Sequence, residues 1–201
     1  MFYEPSKGHG LPHDPFKAIV APRPIGWIST MSAGGAHNLA PYSFFNALST
    51  HPHLVMFSSE SEKDSVTFAR ETGEFVCNLV GSALVDKMNA SSVDAPRGTS
   101  EFDYAGLEME PSRLVAPPRV RGALAALECK VTDIIQPKGL DGQTGDRFVV
   151  FGEVVGVYMD EAAMTDGLFD IVKAGTVSRL GYMDYAAVTE TFQMRRPKWE
   201  G

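Results

Sequence analysis

The sequence predicts a mainly β protein, an antiparallel barrel with a few peripheral helices, and three observations predict it. Residues 23–46 read as two β-prone runs around Gly34-Gly35, a pair able to take the positive φ angles of a tight reversal. Residues 123–135 and 147–158 are the most β-branched, apolar runs in the chain, and the glycine-rich stretch 137–145 between them reads as a hairpin tip. Helical patterning is confined to two or three short stretches, so consecutive strands connect by hairpins rather than by crossover helices, which argues against a parallel sheet.

Taken in order, residues 1–15 hold three prolines and two histidines without a period and read as an arm. Residues 17–21 read as a short strand entering Pro22-Arg23-Pro24, where two prolines fix the backbone around Arg23. The strand that follows ends in two hydroxyls, Ser29 and Thr30, and the chain turns over residues 31–36. It returns through Asn38, Ala40, Pro41, Ser43 and Asn46, and a bend is expected near Ala40-Pro41 because proline removes a ladder donor. Residues 54–59 make a third strand. The polar stretch 58–65 leads into a helical run, 66–72, with Asp64 or Ser61 as N-cap and Gly73 as the C′ residue. A strand over 74–80 and a short helix over 83–91 follow. Residues 92–122 are irregular apart from a helical turn near 100–104, and an excursion of that length is more often functional or interfacial than idle.

With 201 residues, 44% hydrophobic and 21% charged, the chain is expected to form one domain over 1–201, its arm at 1–15 and its tail at 186–201. The formal net charge of -7 speaks against nucleic acid and an anionic membrane as partners, and a small anion would need its own local cations. The first residues lack the basic start and apolar run of a secretory signal, and no apolar stretch approaches the roughly 18 residues of a membrane-spanning helix, so the protein is read as cytoplasmic. Cys77 and Cys129 lie inside apolar strand-like runs and read as buried free thiols. His9 with His13, and His51 with His53, lack accompanying ligands at metal-site spacing, so no metal site is assigned. The glycines of 137–145 are not a dinucleotide fingerprint, and the minimum residues of a GxSxG hydrolase, a P-loop or an HExxH protease are missing.

What the residues do offer is a bent strand pair lined by hydroxyls, an amide and one arginine, suited to a flat polar ligand. The segment from Ser58 and Ser59 through Lys63, Asp64 and Ser65 approaches a helix start. Two readings stand there: a phosphate site, favoured by unpaired N–H groups and the helix dipole, or simply a capped surface helix.

The ordered series RPIGWIST from Arg23, NLAPYSFFN from Asn38, Lys63-Asp64-Ser65, GEFVCNL from Gly73, Glu101-Phe102, Glu128-Cys129 and Arg179-Leu180-Gly181 resembles the flavin reductase-like FMN-binding family from about residue 15 onward. The resemblance implies a split β-barrel, a homodimer with FMN near the interface, and an oxidoreductase moving electrons from NADH or NADPH through the flavin to free flavin or another acceptor. The branch it looks most like holds flavoredoxins and the reductase components of two-component monooxygenases, so an FMN-holding electron carrier or a non-catalytic flavin module is the alternative, and a monooxygenase or redox protein a candidate partner. It would set Arg23, Ser29 and Thr30 beside the flavin, Asn38, Ala40, Pro41, Ser43 and Asn46 around the ring and ribityl chain, and Ser58, Ser59, Lys63, Asp64 and Ser65 at the phosphate. No catalytic side chain is assigned, because the isoalloxazine carries the redox chemistry. The irregular segment 92–122 and the basic tail residues Arg195, Arg196 and Lys198 lack an obvious intramolecular partner and also point to a dimer.

One departure from the resemblance matters. Many relatives of the broader family carry a His-x-Gly-Gly-Asp-Arg-Tyr-like run, and here the matching stretch begins Arg179-Leu180-Gly181-Tyr182. Arginine replaces the histidine and tyrosine the second glycine, which predicts slow reduction by NADH. Arg179 either binds an anionic group or forms an ion pair with Asp184 or Glu190.

Overall fold

The computed structural model describes residues 1–199. In chain order its strands are β1 (Arg23–Pro24), β2 (Gly26–Met31), β3 (His37–Tyr42), β4 (Phe45–Thr50), β5 (His53–Ser59), β6 (Glu74–Asn78), β7 (Met109–Glu110), β8 (Arg119–Val120), β9 (Ala125–Ile135), β10 (Phe148–Met159), β11 (Met164–Thr165), β12 (Leu168–Phe169), β13 (Val177–Arg179) and β14 (Tyr185–Ala187). The α-helices are short: α1 (Phe16–Ile19), α2 (Asp64–Thr72), α3 (Val85–Ala90) and α4 (Glu101–Tyr104).

Seven strands form one antiparallel sheet in the order β3-β2-β6-β9-β10-β5-β4, and a second, three-stranded sheet runs β1-β13-β14. The two edges of the larger sheet, β3 and β4, are consecutive in the chain and joined only by Ser43 and Phe44. The sheet must therefore curl to bring its edges together, and the Ser58 N–H, donating to the Phe44 carbonyl at 2.8 Å, extends the β4–β5 pairing into that link.

Strand β2 is buried on both faces, which explains its near-continuous apolar reading. Trp27 faces an outer cluster with Leu39, Val80, Met88, Phe102 and Val120, and its indole N–H donates to Ser91 Oγ at 2.9 Å. Ile28 faces the barrel interior with Phe57, Val66, Phe75, Cys77, Cys129 and Val150. Both cysteines are buried free thiols, as expected. The β2–β3 reversal closes as the residues predict: Ser32 N–H bonds the Ala36 carbonyl at 2.8 Å and Gly35 takes φ 87°.

The structure departs from the sequence reading at four places. Residues 17–21 do not form a strand; the N–H groups of Ala18 and Ile19 both bond the Pro15 carbonyl and start a helical turn. The return strand does not run to Asn46. It stops at Tyr42, and Phe45 opens a new strand on the opposite sheet edge. The cap of α2 is Lys63, with extended backbone and no side-chain cap bond, rather than Asp64 or Ser61; Gly73 closes that helix in the left-handed region, as read. Segment 92–122 has intramolecular partners after all, since Phe102, Leu107, Val115 and Val120 enter the core clusters.

Candidate functional site

A cavity of about 520 Å³ opens where the sheet edges part, and most of the expected residues line it. Asn38, Ala40, Pro41 and Ser43 come from β3 and the link to β4. Ser58 and Ser59 come from the end of β5, and Lys63, Asp64 and Ser65 from the head of α2. Val66 and Thr67 N–H both bond the Lys63 carbonyl, which leaves the N–H groups of Asp64 and Ser65 without a partner inside the helix.

A buried polar relay fixes this wall. The Asn38 amide donates to Ser65 Oγ at 2.7 Å and to Thr30 Oγ1 at 3.2 Å, tying α2 to β3 and β2. Tyr42 packs on Phe57 at 4.9 Å between ring centroids, and burial pushes its phenol above the ordinary value against the opposing pull of the Ser65 and Ser59 hydroxyls. Glu101, 8% exposed, accepts from Leu39 N–H at 3.0 Å; burial raises its carboxyl above the usual glutamate value. That bond also fixes the direction of the edge strand. Leu39 points its backbone groups away from β2, and Pro41, two residues on, does the same with no N–H to leave unpaired.

Residues 91–97 cross the cavity and carry features the sequence did not disclose. Asp94 holds the Lys63 ammonium at 2.9 Å, and this hydrogen bond is the largest influence raising the lysine pKa. Arg97 pairs with Asp64 at 3.5 Å and reaches the Glu62 carbonyl. Lys17, Tyr42, Phe44 and Glu101 line the same space and were likewise not singled out as ligand contacts. The length of the irregular segment was the one sequence signal that bore on them.

The other expected residues lie elsewhere. Arg23, 6% exposed, donates to the carbonyls of Lys17, Val20 and Leu180 and to Ser43 Oγ at 3.4 Å, so it stands behind the wall. Ser29 and Thr30 are fully buried, the first with an unpartnered hydroxyl, the second in the relay. Asn46 is exposed on β4, its side chain accepting from Ala47 N–H. Arg179 lines a neighbouring cavity of about 620 Å³. It forms no ion pair with Asp184 or Glu190 among the described residues; its guanidinium donates to the Tyr182 and Met183 carbonyls and lies 4.3 Å from the Tyr185 ring. Tyr182 keeps a glycine-like φ of 54°, while its ring packs against His13.

The family model for the flavin reductase like domain matches residues 20–177. The chain belongs to that family. An uncharacterised protein of Halalkalibacterium halodurans is 36% identical over 183 residues, covering 89% of this chain and 87% of the relative. The nitrilotriacetate monooxygenase component B of Bacillus cereus superposes with TM-score 0.87 at 26% identity, covering 96% and 98% of the two chains. A split-barrel domain of flavin reductase type from Shewanella frigidimarina shares the fold at TM-score 0.80 and 21% identity over 90% of each chain. The curled seven-stranded sheet is thus the split barrel that the sequence resemblance implied.

The cavity at the parted sheet edges offers a coherent donor and acceptor set. The helix start and Lys63 suit a phosphate, and the Pro41 carbonyl with the Ser43 hydroxyl suits the polar edge of a flat heterocycle. Among the described residues no helix is long and apolar enough to cross a membrane.

Proposed function

We propose that the protein is a cytoplasmic FMN-dependent oxidoreductase of flavin reductase type. The observation that carries this reading is the cavity at the parted sheet edges, which runs from acceptors on β3 to the cationic head of α2. Lys63 and the first N–H groups of α2 would hold the phosphate; Asn38, Ala40, Pro41 and Ser43 would line the ring and ribityl chain. Bound FMN would supply the electron-carrying chemistry, passing electrons from NAD(P)H to free flavin or another acceptor. The chain's part is to orient the flavin and exclude competing reactions. Free buried thiols fit a reducing compartment.

Titration of the purified protein with FMN, followed by flavin absorbance and fluorescence, tests the reading: saturable one-to-one binding supports it, and failure to bind refutes it. Steady-state NADH and NADPH oxidation then separates a reductase from a flavoredoxin-like carrier. Arg179 at the position where relatives carry histidine favours slow NADH reduction, so a carrier reading stays attached to this residue.

We also propose a homodimer. The tail supports it, because Phe192, Met194 and Trp199 are 85%, 83% and 93% exposed, and Val155, Val157 and Met159 present a further apolar strip on β10. A second copy would cover such surfaces. Sedimentation as a monomer with FMN bound would exclude it.

A further inference from the structure

Three aromatic or cationic residues stand in one row across the small sheet. Arg23 on β1 is the register partner of Arg179 on β13, and Arg179 is the register partner of Tyr185 on β14. Directly opposed like charges on neighbouring strands are destabilising, and here one of the two is buried. Neither arginine forms an ion pair with a carboxylate among the described residues. Their hydrogen-bond partners are backbone carbonyls and Ser43, and Arg179 also lies over the Tyr185 ring at 4.3 Å; none of these supplies a countercharge. Arg179 accordingly lowers the Arg23 pKa, second to burial. In a chain of net charge -7, two adjoining unpaired guanidinium groups are an exception that calls for an anion.

The surroundings say what kind. Arg179 and Tyr185 form one wall of the 620 Å³ cavity, and Ile25, Val85, Met88 and Met183 add apolar surface. Asp86 is the one carboxylate at this cavity and pairs with neither arginine. Pro41, Ser43 and Ser92 line both this cavity and the one at the parted sheet edges, so an occupant here adjoins whatever fills the other.

We propose that the cavity beside Arg179 binds an organic oxyanion with a flat apolar body, its carboxylate or phosphate on the Arg179 guanidinium and its body against Tyr185, Met88 and Ile25. The oxyanion completes the charge pattern of the Arg23–Arg179–Tyr185 row. As the flavin's reaction partner, this ligand deepens the function proposed above and rests on that reading for its redox role; the anion site itself does not.

Calorimetric titration with benzoate and its neutral isostere benzamide, on the protein with and without added FMN, tests the site. Benzoate should bind about tenfold more tightly than benzamide, the scale of one charge-assisted contact. Arg179→Gln should abolish the difference and Arg179→Lys keep part of it, while Arg121→Gln, which removes a surface cation paired with Glu108, should leave it intact. Benzoate should raise the thermal midpoint of the wild type and not of Arg179→Gln. Inorganic phosphate, lacking the apolar body, should bind more weakly than phenyl phosphate. Equal affinities for benzoate and benzamide, or a benzoate affinity indifferent to Arg179→Gln, would overturn the proposal. Failure to bind FMN while benzoate still binds would refute the flavin reading and leave the anion site standing.

Discussion

Replacing Lys63 tests the phosphate end of the proposed flavin site, and the structure changes the size of the expected effect. A charge-assisted hydrogen bond to phosphate contributes about 1.5–3 kcal/mol. Lys63 does not start free, however: Asp94 holds it at 2.9 Å, with the lysine and aspartate side chains 53% and 89% exposed. An exposed pair of this kind is worth about 0.2–1 kcal/mol, which an incoming phosphate must displace. The net loss in Lys63→Ala is then about 0.5–2.8 kcal/mol, or roughly twofold to a hundredfold in the FMN dissociation constant. Asp94→Asn should act in the opposite direction and tighten FMN by up to about fivefold, because the competing carboxylate is gone. In the double variant the Asp94 gain should vanish, so fluorescence titration of the four proteins forms a thermodynamic cycle. Riboflavin, which has no phosphate, should bind equally to wild type and Lys63→Ala, and the FMN effect should shrink as salt rises. Unchanged FMN affinity in Lys63→Ala would remove the phosphate assignment. Weaker FMN binding by Asp94→Asn would show that Asp94 orients the lysine instead of competing for it.

Three further outcomes follow from the packing. Glu101 has a folded-state pKa raised above the ordinary 4.5 by burial, so the unfolded chain releases its proton first and stability falls as pH rises from that value through the folded one. Urea unfolding around pH 4 and around pH 7 should show wild type losing stability relative to Glu101→Gln across that window, and a pH-independent difference would contradict it. A Cβ on Gly152 would stand 2.5 Å from the Phe75 ring, so Gly152→Ala should cost about 1–3 kcal/mol, relieved in part by Phe75→Leu; equal losses in the single and double variants would refute that contact. Burial pushes the Cys77 thiol up to about 12 and raises Cys129 as well, so both should react with a thiol reagent only as fast as the protein opens; rapid stoichiometric labelling of the native state would refute this.

The parts of the fold that the sequence disclosed are those set by local periodicity and turn chemistry. The β2–β3 reversal follows from Gly34-Gly35, the β9–β10 pair from β-branched runs, and the end of α2 from Gly73. Where a residue's partners lie far along the chain, the sequence was silent. Prolines constrained the backbone at Arg23, but one of the acceptors that turn its side chain away from the cavity is the carbonyl of Leu180, 157 residues on. The run Lys17–Ala21 suits strand and helix alike, and the Pro15 carbonyl decided it. Asp94 and Arg97 carried no motif; only tertiary placement sets them against Lys63 and Asp64.

The position of the site follows from how a split barrel treats its open edge. Closing the ladder between β3 and β4 would consume every backbone group along the seam, whereas a parted seam leaves the outward groups of β3 in need of partners. Glu101 takes the Leu39 N–H, and Pro41, at the cavity wall, has a carbonyl but no N–H to offer, so the edge lacks donors there. A further strand, which needs both, is excluded. The same edge suits a ligand with ring N–H groups at one end. At the far end of the same cavity α2 reverses the pattern, presenting N–H groups that no side chain caps and the Lys63 ammonium, which an anion would share with or take from Asp94. Asn38 joins the two ends, since its amide bonds Ser65 at the helix head while its backbone belongs to β3. A ligand that donates at one end and is anionic at the other is therefore matched twice by a single rigid unit, and FMN has that polarity: an imide N–H on its ring and a phosphate on its ribityl tail.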